Sequence, residues 1–201
     1  MGQRHQIYVN FPENLGMAGF HHQWLYGMTV IESLARVLKF YQASDEYSPL
    51  KTNCRYGLDR QSEVINSLYS VDIGTGYWHY VHNFIQEKNL DPITDPRLAD
   101  NNDGITIIDL SKGNFRYCLM SIGHLEGEVN PKPFKPLTAR EYLLCYYPKF
   151  LDKKGKRGND IDQEIFDRVL SKLLFIEEKA KVLTLSECKK LFPKMYVGAP
   201  K

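Results

Sequence analysis

The side chains best suited to moving a proton or holding a metal ion near neutral pH are the six histidines. Five lie in short groups: His5, the pair His21–His22, and His79 with His82, while His124 stands apart. Arg4-His5-Gln6 and His21-His22-Gln23-Trp24 carry the richer chemistry. An arginine beside a histidine can hold an anionic substrate while the imidazole transfers a proton, and the glutamine amides can add orienting hydrogen bonds. Arg4, His5 and His22 are therefore the candidate catalytic residues. No serine or cysteine sits in a nucleophile elbow, so no nucleophile accompanies them. The plainer role for the same residues is as polar strand positions bonded to backbone and side-chain partners, or facing a partner protein.

His79 and His82 are three apart, which places both on one face of the helix predicted from Thr75 to about Lys88 and lets them offer two nitrogens to one ion. A third ligand would come from His5, His22, Asp72 or Asp103. No acid lies between the pair and the five-residue zincin pattern is absent. The competing role is a pair of hydrogen-bonded histidines at the edge of an aromatic cluster of Tyr77, Trp78, Tyr80 and Phe84.

Between Tyr146 and Arg157, five basic residues (Lys149, Lys153, Lys154, Lys156 and Arg157) are mixed with three aromatics, the ingredients for phosphate contact and base stacking. Gly155 and Gly158 suit a solvated connection equally well. Asp100-Asn-Asn-Asp-Gly104 is oxygen-rich but lacks the alternating acids and distant Glu of an EF-hand. Gly74-Thr-Gly76 precedes a helix pattern without the Lys-Ser or Lys-Thr of a phosphate loop. An N-terminal-nucleophile mechanism is not expected, because residue 2 is Gly. No cofactor is expected.

These residues must be placed by strands and helices that the hydropathy pattern outlines. Ile7, Val9 and Phe11 alternate with polar positions over residues 5–11, and residues 20–26 form a second aromatic-rich run; the two read as a hairpin. From Met28, the apolar residues Ile31, Leu34, Ala35, Leu38 and Tyr41 follow helical spacing to about residue 43. A single helix from about residue 20 is the alternative, disfavoured by Gly27. Residues 44–57 read as a loop, and a short helix is predicted near Val64, Ile65 and Leu68. Ile105–Leu110 and Phe115–Ser121, separated by Ser-Lys-Gly-Asn, form the second hairpin. Prolines 131, 133 and 136 make an extended connection. Thr138-Ala-Arg-Glu141 and Thr184-Leu-Ser-Glu187 are capping boxes, and Asp160 with Gln163 opens a long helix whose apolar face is Ile161, Ile165, Val169, Leu173 and Ile176. The fold class expected is α+β: an antiparallel sheet built from two hairpins with helices over it, in one domain over 1–201 with a helical C-terminal region that is a possible subdomain over 137–201.

Chain length and composition are compatible with that architecture. The 201 residues, 43% of them hydrophobic, can bury a sizeable core. Lys and Arg number 26 against 24 Asp and Glu, so any charge-driven partner must be met by a local patch. The four cysteines, at 54, 118, 145 and 188, lack the close spacing of zinc fingers and redox dithiols and read as reduced, mostly buried thiols. The first twenty residues contain no continuous apolar stretch, so neither a signal peptide nor a membrane span is expected.

Gly2-Gln-Arg-His-Gln-Ile-Tyr-Val9, Phe20-His-His-Gln-Trp-Leu-Tyr-Gly27 and Asn102-Asp-Gly-Ile105 together resemble a group of bacteriophage proteins of no assigned activity, over about twenty residues in three patches. The resemblance implies a phage-encoded protein made in the host cytoplasm and transfers no catalytic residue. The leading expectation is a non-catalytic binding or assembly protein, either a virion component or a factor engaging host machinery. The thirteen tyrosines suit such contact surfaces. It implies a protein partner or self-assembly, with local nucleic-acid contact by the basic segment and no membrane. The alternative is a small hydrolase or phosphodiesterase using Arg4, His5 and His22, in a metal-free version or one that binds metal through His79 and His82. It requires His5 and His22 to share a sheet face.

Overall fold

The structure is a computed structural model that describes residues 4–12, 17–23, 25–43, 79–82, 104–120, 135–152, 155–158 and 161–193. The first two strands pair antiparallel, but the second begins inside the predicted loop, at Met17 rather than Phe20. β1 (Arg4–Asn10) pairs antiparallel with β2 (Met17–Gln23), and the helix after them, α1, runs over Met28–Ala43. Gly27 separates strand from helix with φ +52°, and a Cβ there would lie 2.6 Å from the Tyr147 ring, so only glycine fits the junction. Farther along, β3 (His79–His82) joins the sheet. The second hairpin is β4 (Ile105–Asp109) with β5 (Arg116–Met120). The remaining elements are α2 (Ala139–Tyr146), α3 (Gln163–Lys179), β6 (Lys181–Val182) and α4 (Leu185–Leu191).

An antiparallel sheet made of two hairpins is not what assembles. The strand order is β3-β2-β1-β4-β5-β6, and the hairpins join through a parallel β1–β4 pair, with β6 parallel to β5. The sheet is mixed. Turn residues report a hairpin locally, whereas the β1–β4 register joins residues about a hundred apart and leaves no local mark. Its trace is compositional: every residue of β4 and β5 is buried, as strands covered on both faces require.

One face carries Ile7 and Val9 of β1, Ile108 of β4, and Tyr117 and Leu119 of β5 beneath α1, α2 and α3. On the other, Tyr8, Ile105, Ile107, Cys118 and Met120 meet Leu183, Cys188 and Phe192. Each fully buried large apolar side chain contributes about 1.5–3 kcal/mol. In α1 the spacing forecast from sequence is the buried stripe. Both capping boxes form, with Thr138 and Thr184 accepting from the amides of Glu141 and Glu187. Tyr117 adds an anchor for α2: its hydroxyl accepts from the Ala139 amide at 3.1 Å, and burial pushes its phenol up to about 12.

Helix α3 departs in detail from its forecast. Asp162, not Asp160, caps it, accepting from the amides of Glu164 and Ile165. The buried stripe is Phe166, Val169, Leu173 and Ile176, so Ile165 emerges into solvent and Phe166 enters the core beside Phe150, ring centroids 5.1 Å apart. The short helix near Val64, the Gly74–Gly76 break, residues 100–103 and His124 lie outside the described residues. No helix among the described residues is long and apolar enough to cross a membrane.

Candidate functional site

Strand register brings the histidine groups together. His5 of β1 pairs with His22 of β2, and His22 pairs with His79 of β3. Residues directly opposite in a ladder share a sheet face, so positions 5, 22 and 79 form one row across three adjacent strands. Neighbouring strands lie about 4.8 Å apart, which makes the row about 10 Å long. In β1 this is the face of Ile7 and Val9, which pack beneath α1, α2 and α3.

The same parity corrects two expectations. Arg4 is one residue from His5, hence on the opposite face, where its register partner is Gln23. It does not share the row. His79 and His82 lie in strand β3, not a helix, and an odd separation puts them on opposite faces. The segment's aromatic content serves a strand as well as a helix, and edge pairing with β2 decided between them. The shared helical face on which the His79–His82 pair was predicted is therefore not formed, and position 79 stands instead in register with position 22. His82 instead pairs with Gly19, on the face of Tyr8.

At the inner end of the row, His5 is fully buried. Its Nε2 lies 2.7 Å from Thr106 Oγ1 on β4, and Tyr142 of α2 presents a ring edge-on at 6.1 Å. Both contacts help to hold the imidazole in place. Gly104, entering β4 with φ +125°, makes room for it: a Cβ there would lie 2.5 Å from the Met120 carbonyl oxygen and 3.3 Å from His5 Cε1. The Gly104 carbonyl also accepts from the Gln6 amide at 3.2 Å. Thr106 was missed by motif reading. Its signal is a hydroxyl in the otherwise apolar run Ile105-Thr-Ile-Ile108.

A second buried polar group occupies the other face and the other end of β1 and β4. The Arg116 guanidinium is paired with Asp109, and its Nη1 lies 2.5 Å from Glu187 Oε1. Asn10 Nδ2 donates to Asp109 Oδ1 at 2.9 Å. Bonds from Thr184, aided by Arg116, hold the Glu187 carboxyl below the usual carboxylate range. This group ties α4 to β5 and shares no residue with the histidine row.

Lys149, Lys156 and Arg157 are exposed, whereas Lys153 and Lys154 lie outside the described residues. Arg157 donates to the Ile161 carbonyl, and Leu151 bridges Arg157 antiparallel, so the segment folds back on itself. Of the three aromatics, Phe150 is in the core and Tyr146 packs on Tyr142 at 5.0 Å. Phe150 is thus committed to the core, whereas Tyr146 and Tyr147 stay half-buried.

The register thus sets three histidine positions, 5, 22 and 79, on neighbouring strands, and histidine is the residue type suited to proton transfer near neutral pH. Among the described residues, no three His, Cys, Asp or Glu side chains are grouped to hold a metal ion. Position 104 closes the row beyond His5, so the patches around residues 5, 22 and 104 meet at one end of the sheet. No protein-family model matches the chain, and neither a curated protein nor a solved structure matches it.

Proposed function

We propose that the protein is a small hydrolase of the phosphodiesterase class whose working groups are the histidines at positions 22 and 79, with His5 as the positioning residue behind them. The observation that carries this reading is the single row formed by positions 5, 22 and 79. Cleavage of a phosphodiester needs a base for the attacking oxygen and an acid for the leaving oxygen, and neighbouring imidazoles supply both near neutral pH. His5, held on Thr106, fixes the inner end of the row. Turnover of bis(p-nitrophenyl) phosphate tests the reading: the wild type should give a bell-shaped pH profile, and His22→Gln should lower kcat by at least about 10²-fold. Turnover that survives EDTA assigns the metal-free version; turnover lost in EDTA and restored by zinc or manganese assigns the metal-dependent one. Absence of turnover in both removes the hydrolase.

A second reading is supported by apolar side chains left in solvent on three consecutive elements: Leu174 of α3, Val182 of β6 and Leu185 of α4. In it, the chain is a phage-encoded binding or assembly protein working in the host cytoplasm or the virion. Sedimentation velocity on the wild type and on Leu174→Asp/Leu185→Asp is the check, since self-assembly through these residues would be lost in the variant.

A further inference from the structure

On the face opposite the histidine row, Cys118 Sγ of β5 lies 3.4 Å from Cys188 Sγ of α4, 70 residues away. Both side chains are fully buried. Adjacent residues hold the same two elements together, since Glu187 reaches Arg116 at 2.5 Å. Phe192, just past α4, stacks edge-on against Tyr8 with centroids 5.3 Å apart. Helix α4 is thus docked by a charge contact, a thiol contact and an aromatic contact in a short stretch of chain.

We infer that Cys118 and Cys188 are a dithiol which a small-molecule disulfide converts into an intramolecular disulfide, clamping α4 onto the sheet. The sulfurs need only come roughly 1.4 Å closer to reach the bond length of about 2.05 Å. In the first step a cysteine thiolate attacks one sulfur of the small disulfide, forming a mixed disulfide and releasing one small thiol. The second cysteine then displaces the other half as its thiol. Two electrons pass from the cysteine sulfurs to the small disulfide, and the two cysteine protons leave with the two small thiols.

Access comes from α4, a helix of only seven residues whose Leu185 and Ser186 are exposed. Local opening of such an element exposes Cys188 without global unfolding. Burial holds the Cys118 thiol well above its ordinary value, which keeps the closed pair unreactive and makes opening rate-limiting. Cys145, exposed on α2, is the competing thiol and has no cysteine neighbour among the described residues.

The test uses the full chain carrying Cys54→Ser and Cys145→Ser, incubated with oxidised glutathione at pH 8 and acid-quenched. Intact mass should fall by two hydrogens, a digest should contain the Cys118–Cys188 cross-linked peptide, and Tm should rise by several degrees. Cys188→Ala should show no such loss. A stable single glutathione adduct, or an unchanged mass under conditions that oxidise the guanidinium-unfolded chain, overturns the inference.

Discussion

His5 Nε2 and Thr106 Oγ1 stand 2.7 Å apart inside the sheet, joining β1 to a strand 101 residues later. The contact lies between the parallel strands at the centre of the sheet, and the position next to His5 on its other side is His22. The bond therefore fixes the inner end of the histidine row and ties the sheet together.

Thr106→Val keeps the shape of the side chain and removes the hydroxyl. It should cost about 1–3 kcal/mol by urea denaturation, because His5 loses this partner in a site closed to water. Thr106→Ser should retain most of that stability. Equal stability of Val and Ser variants would mean that the bond contributes nothing.

Gly104→Ala should destabilise by about 1–3 kcal/mol through backbone strain at φ +125°, with a further cost from the approach to Met120 and His5. Near-wild-type denaturation would contradict the packing around the His5 ring.

Glu187 sets a pH dependence. Its folded-state carboxyl is held below its ordinary value of 4.5, so its stabilising effect is complete above that pH and is lost as pH falls through the lowered value. Compared across an acid titration, wild type and Glu187→Gln should differ most above 4.5 and converge below it. A difference that grows on acidification would reverse the sign expected.

Much of the fold was legible because its signals are local. Helical spacing from Ile31 to Tyr41 outlined α1, the Thr138 and Thr184 boxes marked α2 and α4, and Ser-Lys-Gly-Asn marked the β4–β5 turn. Non-local pairing was not legible. Nothing beside Val9 announces Ile108 as its parallel partner, and nothing near His79 announces His22. The two-residue β6 is too short to carry a period. His5 and His22 were found by residue type, whereas Arg4 was grouped with His5, and His82 with His79, by proximity in sequence, which strand parity separates. Cys118 and Cys188 read as isolated thiols because spacing rules look for neighbours within a few residues, and theirs is 70 away.

Parity also supplies the most direct measurement of whether the histidine row works. Two of the three row members have a histidine nearby at a position of opposite strand parity: His21 for His22, and His82 for His79. Turnover of bis(p-nitrophenyl) phosphate should be compared for His22→Gln, His79→Gln, His21→Gln and His82→Gln, each checked for folding by circular dichroism. The row requires the first two to lose at least about 10²-fold in kcat and the last two to stay near wild type. Equal losses on both faces, or full activity without His22, would contradict it.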